Sequence, residues 1–233
     1  MKDLYTYENS NILINKFNIK DAFLLEKAEA DFVALGANKL INEGFEIENI
    51  FDILKIHKIL FSNVYDWAGN IRTINIYKSE AILKGKSIDY VLSSYINEAL
   101  IILNKEFLII DWDNLNPKEK IEKICYFVSE VWHIHPFREG NTRSVALMLY
   151  FLLKKMNLHI NTKFLEKNAK YFRNALVLNS LYSKSKPEYI QGIVFDSTTL
   201  KNVSTTKYVT IEGFEVNKYN YSNHTIEKIK TLK

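Results

Sequence analysis

One stretch of the chain, from His135 to Arg143, holds several side chains that could do chemistry together. It reads His-Pro-Phe-Arg-Glu-Gly-Asn-Thr-Arg and so combines an imidazole, a carboxylate, a Gly-Asn turn and an arginine. An imidazole can act as a general base near neutral pH. Apolar residues recur with helical spacing on both sides of the stretch. The sequence therefore predicts a helix–loop–helix whose reactive groups lie in the loop.

The second half of this loop has the features of an anion site. Gly140, Asn141 and Thr142 lead into an apolar segment, so the N–H groups and positive dipole end of a helix would point into the loop. Arg143 can bind phosphate oxygens with two donors. Glu139 would repel a phosphate unless a cation lies between them, and a carboxylate, phosphate oxygens and water commonly surround Mg²⁺. Together with a base, these groups indicate attack by a hydroxyl on a nucleotide phosphate.

Helices are predicted on both sides of the loop and along most of the chain. Asn116-Pro117-Lys118-Glu119 is a helix start, with Asn as the cap, Pro at the first position and Glu three residues after the cap. That helix delivers His133 and His135 at its end. Gly36 is expected to loosen or end the first helix. Helical spacing is present from Asp21, from about Glu48, from Ile88 to Leu103, from Ser144 to Leu153, from Phe164 to Leu176 and from Tyr189 to Phe195.

A strand signal interrupts this helical pattern once in the first two-thirds of the chain. Gly69-Asn70 is typical of a turn, and residues 72–76 alternate polar with β-branched side chains. The pattern predicts a short β-hairpin. A lone hairpin is marginally stable in a helical domain, so it usually has a role. His57, near the apolar face of the second helix, is expected to be a hydrogen-bonded structural histidine.

Composition limits the class of protein. A chain of 233 residues with 47% hydrophobic content can bury one core, and 7 glycines and 3 prolines favour an all-α domain over a sandwich. The net charge of +4 comes from lysines spread along the chain, which argues against a nucleic-acid partner. No apolar run suggests a membrane span or a signal peptide. The single cysteine, Cys125, fits a core position and a cytoplasmic location.

The loop and the hairpin segment both resemble the Fic family. The family signature is His-Pro-Phe-x-(Asp/Glu)-Gly-Asn-Gly-Arg-x-x-Arg, and its flap opens with Trp-Ala-Gly-x-Ile-Arg, which resembles residues 67–72 here. The resemblance implies an all-α, Fic-like domain with a short β-hairpin flap over the active-site loop. We expect this domain to cover residues 1–200 and to be followed by a C-terminal extension, 201–233, with a candidate regulatory role.

The resemblance also implies an activity and roles for individual residues. It implies a protein adenylyltransferase that moves AMP from ATP to a Tyr, Thr or Ser hydroxyl of a target protein, with self-modification and self-association as further expectations. His135 would be the general base, Phe137 would anchor the loop and Glu139 would hold Mg²⁺. The nucleotide-binding residues would be Arg138, Gly140, Asn141, Thr142 and Arg143. The target-binding flap would consist of Arg72, Thr73, Ile74, Asn75 and Ile76, which pair with a target segment by strand addition.

Two positions depart from the family signature. Thr142 replaces a glycine, and its hydroxyl is expected to cap the following helix. Ala146 replaces the second arginine, which in the family holds the terminal phosphate of ATP. A lost charge-assisted hydrogen bond is worth roughly 1.5–3 kcal/mol, so the nature of the transferred group stays open. Glu212-Gly213 lies where the family's C-terminal inhibitory helix would lie, with Tyr208 in place of its serine, and Glu212 is the candidate inhibitory residue.

Three other functions remain open at the level of the sequence. His133, His135 and Glu139 could form a metal site for hydrolysis, although two histidines two residues apart near a helix end converge poorly. A Doc-type phosphotransferase would donate the γ-phosphate of ATP instead of AMP. A non-catalytic module would bind only a nucleotide or a peptide. Transfer of another phosphate-containing group is a variant of the main hypothesis.

Overall fold

The computed structural model describes residues 3–181 and 185–199. These residues form mainly α-helices and no β-strand, which confirms the prediction of an all-α fold for this part of the chain. The helices are α1 (Ala22–Asn42), α2 (Asp52–Phe61), α3 (Ile96–Leu108), α4 (Pro117–Ile134), α5 (Asn141–Lys155), α6 (Thr162–Lys167), α7 (Ala169–Asn179) and α8 (Pro187–Thr199). In the described ranges, no helix is both long enough and apolar enough to cross a membrane.

Helices α4 and α5 form the centre of the fold and hold the loop between them. α5 packs against α4 and α2, and α4 is further covered by α3, α7 and α8. Trp132, Phe137 and Leu149 are among the fully buried side chains here. Because the loop joins the two most enclosed helices, its ends are fixed by the core, as burial of large apolar side chains is the main stabilising term in folding.

The helix starts that the sequence predicts are present. Asp21 is the N-cap of α1, and its carboxylate accepts a hydrogen bond from the Leu24 N–H. Asn116 and Glu119 form the expected capping box of α4, in which each side chain accepts from the other residue's backbone N–H. α2 begins at Asp52 rather than near Glu48, because the Asp52 carboxylate accepts from the N–H groups of Glu48 and Asn49 and holds them in a turn.

Gly36 does not end the first helix. α1 continues through it to Asn42, and the glycine is explained by a close approach between helices. A Cβ at this position would lie 2.8 Å from the Ile59 carbonyl oxygen and 3.0 Å from the Leu60 Cα on α2. A glycine in the middle of a helix destabilises it by about 1 kcal/mol relative to alanine. Here it allows the backbones of α1 and α2 to pack in contact.

The helix predicted from Ile88 begins later. A 3-10 turn spans Ser93–Tyr95 and α3 follows from Ile96. The preceding residues are extended because their carbonyl groups are used by other segments: the Asp89 carbonyl accepts from the His133 ring, and the Val91 carbonyl accepts from the Arg72 guanidinium. Helical spacing of apolar residues is thus present, but long-range hydrogen bonds determine the backbone there.

The β-hairpin predicted around residues 72–76 is not confirmed. In residues 72–92, which we call the flap segment, the structure contains extended backbone and one 3-10 turn, Ala81–Leu83, but no paired strand. The two arms of the segment are linked by other contacts: the Glu80 N–H donates to the Lys86 carbonyl at 3.0 Å, and the Lys78 N–H donates to the Ser87 hydroxyl at 3.3 Å. Since side chains make much of this link, no regular ladder forms.

The lead-in to α1 packs beside the flap segment. An isolated antiparallel bridge joins Thr6 and Leu13, and the Tyr5 ring makes an edge-on contact with Trp67 at 5.5 Å. The Tyr5 hydroxyl accepts from the Thr73 N–H at 3.1 Å. Residues before α1 therefore support the start of the flap segment instead of being a loose extension.

Candidate active site

His135 lies at the C-terminus of α4 with its reactive nitrogen unpaired. Its backbone is left-handed, with φ of 51°, a conformation that costs about 1–3 kcal/mol for a residue other than glycine. The Nδ1–H donates to the Trp132 carbonyl at 2.9 Å, so Nε2 is the unprotonated nitrogen. Nε2 is buried and has no hydrogen-bond partner. Burial first, and then the charge of Lys78, lower the pKa of His135 well below 6.5, which keeps it neutral and able to accept a proton.

The motif loop, residues 135–143, is closed by its own side chains. The Asn141 carboxamide accepts from the Phe137 N–H at 3.0 Å and donates to the Phe137 carbonyl at 2.8 Å. Phe137 is fully buried, which fits its predicted role as an anchor. Gly140 has φ of 83°, and a Cβ there would overlap the ring of Phe61. The loop therefore requires glycine at 140, and its first helical turn begins where the sequence predicts an anion site.

A buried histidine of α2, His57, contacts the motif loop through a hydrogen bond and a ring stack. The His57 Nδ1 accepts from the Gly69 N–H at 2.8 Å, and its Nε2–H donates to the Glu139 carbonyl at 3.0 Å. Its ring also stacks on Phe137 at 3.7 Å. Burial lowers the pKa of His57 to about 3. The prediction of a structural, hydrogen-bonded histidine agrees with this geometry, and the residue connects the turn at Gly69 to the motif loop.

Arg143 is held by a carboxylate that the sequence patterns did not indicate. Its Nη2 donates to Glu29 of α1 at 2.5 Å, and the Tyr65 hydroxyl donates to the other oxygen of the same carboxylate. Arg143 also lies over the Phe61 ring, 4.7 Å from its centroid. The guanidinium is one-third exposed, so it is oriented by Glu29 and still reaches solvent beside the start of α5.

Glu139 has the properties of a cation-binding carboxylate. Its Oε2 accepts from the Lys78 ammonium at 2.8 Å, and its Oε1 accepts from the Gly140 N–H at 3.0 Å. Burial alone would raise the pKa of Glu139, but Lys78, the Gly140 N–H and Arg143 outweigh it and lower that pKa to about 2. One ionised carboxylate that already attracts a cation fits Mg²⁺, because this ion takes one or two carboxylates together with phosphate oxygens and water.

Thr142 does not cap the helix, contrary to the prediction. It lies inside α5, whose N-cap is Gly140 without a side-chain cap. Its hydroxyl oxygen accepts instead from the Trp132 indole N–H at 2.9 Å and from Arg173 of α7 at 3.1 Å. Arg173 also donates to the buried Glu80 carboxylate of the flap segment at 2.7 Å. The threonine thus connects the first turn of α5 to α4 and α7.

Within the described residues, no group of three or more His, Cys, Asp or Glu could hold a metal ion. His133 lies apart from such a role, since its Nε2–H donates to the Asp89 carbonyl at 2.8 Å. This geometry gives no support to a hydrolytic site built on His133, His135 and Glu139.

These features lead to the comparison with known proteins. Residues 49–153, which include α2 to α4, the whole motif loop and most of α5, match the model of the Fic/DOC family. This part of the chain is a Fic domain. The match confirms the family that the motif loop and residues 67–72 resemble.

Two known proteins are similar to the chain in sequence. Over 234 residues, 92% of the chain is 27% identical to protein adenylyltransferase VbhT of Bartonella schoenbuchensis. The chain spans less than half of that protein, 46% of its length. It is 26% identical over 154 residues to the probable protein adenylyltransferase Fic of Escherichia coli, covering 64% of this chain and 70% of that protein. Both relatives are adenylyltransferases by name.

Solved structures show the fold. The crystal structure of BepC of Bartonella tribocorum with bound AMPPNP matches with a TM-score of 0.67 and 22% identity, covering 83% of this chain and 95% of that chain. The N-terminal FIC domain of Bep8 from Bartonella sp. 1-1C matches with a TM-score of 0.68 and 19% identity, covering 84% of this chain and 95% of that chain, so the helical arrangement around the motif loop is that of a Fic domain.

Arg138, the remaining predicted nucleotide-binding residue, is paired with Asp3 and not with the start of α5. Its guanidinium donates twice to one oxygen of Asp3, at 2.9 and 2.6 Å. The pair fastens the lead-in to the motif loop. Of the five predicted nucleotide-binding residues, the structure brings Gly140, Asn141, Thr142 and Arg143 together at the start of α5.

The flap residues divide into an inward and an outward set. Arg72 is 1% exposed and donates to the carbonyls of His135, Ile74 and Val91, so its side chain joins the flap segment to the motif loop. Ile74 and Ile76 are partly buried, whereas Thr73 and Asn75 are exposed. The predicted alternation is therefore present, although strand pairing is not.

The site also contains four residues that sequence reasoning missed: Lys78, Glu29, Glu80 and Arg173. Of these four, only Glu29 could have been noticed in the sequence. It lies in helical register with Leu25, Gly36 and Leu40, on the buried face of α1, and a carboxylate on a buried face needs a charged or hydrogen-bonding partner. The others are brought to the site by long-range contacts. The candidate inhibitory residue Glu212 lies outside the described residues, so its role stays a prediction.

Proposed function

We propose that this chain is a protein adenylyltransferase that transfers AMP from ATP to a hydroxyl side chain of a target protein. One observation carries the proposal: the unpaired Nε2 of a neutral, buried His135 lies in the same closed loop as the Gly140 start of α5. The names of VbhT and of the E. coli relative support it, as does the AMPPNP bound to BepC.

The proposed step is a displacement at the α-phosphorus of ATP. The target hydroxyl gives its proton to His135 Nε2 as its oxygen forms a bond to the α-phosphorus. The bond between that phosphorus and the oxygen that bridges to the β-phosphate breaks, and pyrophosphate leaves. The Nδ1–H to Trp132 hydrogen bond holds the ring in one tautomer and helps to stabilise the positive charge that the imidazole gains.

The start of α5 would bind the phosphates. Backbone N–H groups at the helix N-terminus and the Arg143 guanidinium are donors to phosphate oxygens. Glu139 would hold Mg²⁺, which would neutralise phosphate charge between the carboxylate and the nucleotide. Lys78 at present neutralises this carboxylate, so we expect the lysine to be released, or to turn to a phosphate, when ATP and Mg²⁺ bind.

The target would reach the site along the flap segment. His135 is only 1% exposed, and the Tyr90 ring lies 4.1 Å from its ring. The arm that carries Tyr90 must therefore move before a target hydroxyl can approach Nε2. The outward-facing residues Thr73 and Asn75 mark an extended edge on which a target segment could add as a strand. Self-modification and self-association belong to the same proposal.

Labelled ATP tests this activity against its alternatives. The wild-type chain is incubated with Mg²⁺, a bacterial lysate and ATP labelled at either the α- or the γ-phosphate. Transfer of the α-label to protein, with no γ-label, is the expected result. Transfer of the γ-label would instead indicate a Doc-type phosphotransferase. If neither label appears on any protein, including the chain itself, the result would contradict the proposal and favour a non-catalytic binding module.

A further inference from the structure

An arginine distant in sequence reaches the loop that would bind phosphates. Arg173 lies 31 residues beyond Thr142, and its Nη1 donates to the Thr142 hydroxyl at 3.1 Å. The same oxygen accepts from the Trp132 indole N–H at 2.9 Å. Thr142 is the second residue of α5. The guanidinium of Arg173 is therefore held beside the first turn of the helix whose N-terminus faces the proposed nucleotide.

Arg173 is anchored but not enclosed. Its side chain is 37% exposed, whereas its ion-pair partner Glu80 is 4% exposed. The two hydrogen bonds described for it use two of the five N–H donors of a guanidinium. Glu80 also accepts from the Tyr90 hydroxyl at 3.2 Å, which fixes the carboxylate from another side. The arginine is thus positioned by the protein while part of it remains open to a ligand.

At its N-terminal end α5 carries one cationic side chain, Arg143. Position 146, one turn after Thr142, is alanine, and the next basic residues after Arg143 on this helix are at its far end, Lys154 and Lys155. Arg143 is already paired with Glu29. A triphosphate brings several negative charges, and guanidinium groups bind phosphate oxygens well because of their planar donor geometry.

We propose that Arg173 is a nucleotide-binding residue that contacts the phosphates beyond the α-phosphate of ATP, oriented by Thr142. The two departures from the Fic signature then belong together: the residue that replaces glycine places an arginine from α7 near the phosphates, where Ala146 leaves α5 without a second arginine beside Arg143. This inference rests on the proposed use of ATP, but it concerns binding and can be measured without any transfer reaction.

Equilibrium binding of ATP and AMP tests it. With Mg²⁺ present, Arg173→Gln is expected to weaken ATP binding about tenfold or more and to change AMP binding less than about twofold. Arg173→Lys keeps the charge but loses the planar fork, so it should show a smaller loss. Lys170→Gln, which removes a cation from an exposed position on the same helix, should bind like the wild type. Circular dichroism confirms that each variant is folded.

Two further variants separate contact with ATP from a purely structural role. Glu80→Gln removes the negative charge beside Arg173 but keeps an oxygen that can accept from its guanidinium, so ATP binding should fall less than in Arg173→Gln. Thr142→Val removes the orienting acceptor and should cause part of the loss seen in Arg173→Gln. If Glu80→Gln loses as much ATP affinity as Arg173→Gln, or if ATP and AMP affinities fall equally, the inference is overturned.

The outcomes also distinguish this inference from the proposed activity. A wild-type chain that binds ATP through Arg173 but transfers nothing contradicts only the activity. A wild-type chain that transfers AMP, while Arg173→Gln binds ATP as tightly, contradicts only the role of Arg173. A wild-type chain that does not bind ATP contradicts both.

Discussion

The motif loop and the flap segment lie against each other but are held in place in different ways. The motif loop is fixed by neighbours in its own sequence: Asn141 bonds to Phe137 in both directions, and the His135 ring bonds to Trp132. The flap segment has no strand ladder and is held mainly by hydrogen bonds between side chains and distant backbone groups: Arg72 donates to the Val91 carbonyl, and the Asn75 side chain accepts from the Ser93 N–H. The shape of the motif loop thus depends partly on local contacts, whereas that of the flap segment depends on contacts between residues far apart in sequence.

Arg72 joins both regions through backbone acceptors in the interior. Its buried guanidinium donates to the His135 carbonyl in the loop and to the carbonyls of Ile74 and Val91 in the flap segment. Burial lowers the pKa of Arg72 to about 10, so it is still charged at neutral pH. This charge compensates three backbone acceptors at the junction, which explains why a charged residue is tolerated in the core.

The largest effect is therefore expected from Arg72→Ala. The substitution leaves buried carbonyls without donors and should lower the free energy of unfolding by about 3–5 kcal/mol. Arg138→Ala is the matched control, because it removes an arginine from a more exposed ion pair with Asp3 and should cost about 1 kcal/mol or less. Urea unfolding measures both. Equal losses in the two variants would show that Arg72 does not join the loop to the flap segment.

A smaller effect, confined to the loop, is expected from Gly140→Ala. A left-handed backbone and an overlap with Phe61 both oppose a Cβ there, for a combined cost of roughly 3 kcal/mol. Gly44 has a similar φ of 68°, and a Cβ added to it would have no atom within 4 Å, so Gly44→Ala isolates the backbone cost of about 1–2 kcal/mol. ATP binding should fall only in Gly140→Ala. If both variants lose ATP binding, the loss does not depend on the shape of the motif loop and the prediction is contradicted.

The effect that is smallest for each unit of pH comes from His57, which connects the Gly69 turn to the motif loop. His57 has a pKa of about 3 when folded and 6.5 in the unfolded chain, so between these values the unfolded chain binds more protons. The free energy of unfolding should therefore fall as pH decreases from 6.5 toward 3, with this histidine contributing about 1.4 kcal/mol per pH unit. His57→Gln should reduce that slope in urea titrations without Mg²⁺. An unchanged slope would mean that His57 is not buried in its neutral form.

The same contrast explains what the sequence could and could not predict. The helix starts at Asp21 and Asn116 and the closed loop at Gly140 depend on residues close in sequence, and these features are present. The hairpin and the early start of α3 are absent from the described residues, because Arg72 and His133 take the carbonyls that regular structure would use. Partners of the loop such as Arg173 come from other helices, and spacing along the chain does not reveal them.

The most direct test of the account is the fate of α-labelled ATP with His135→Ala beside the wild type. Removing the imidazole removes the proposed base but leaves the proposed phosphate site at the start of α5, so the variant should still bind ATP with Mg²⁺. Label transfer to protein should fall by about 100-fold or more, while wild type and the Lys170→Gln control transfer label equally. If His135→Ala binds ATP and still transfers the α-label at the wild-type rate, His135 is not the base and the central claim is wrong.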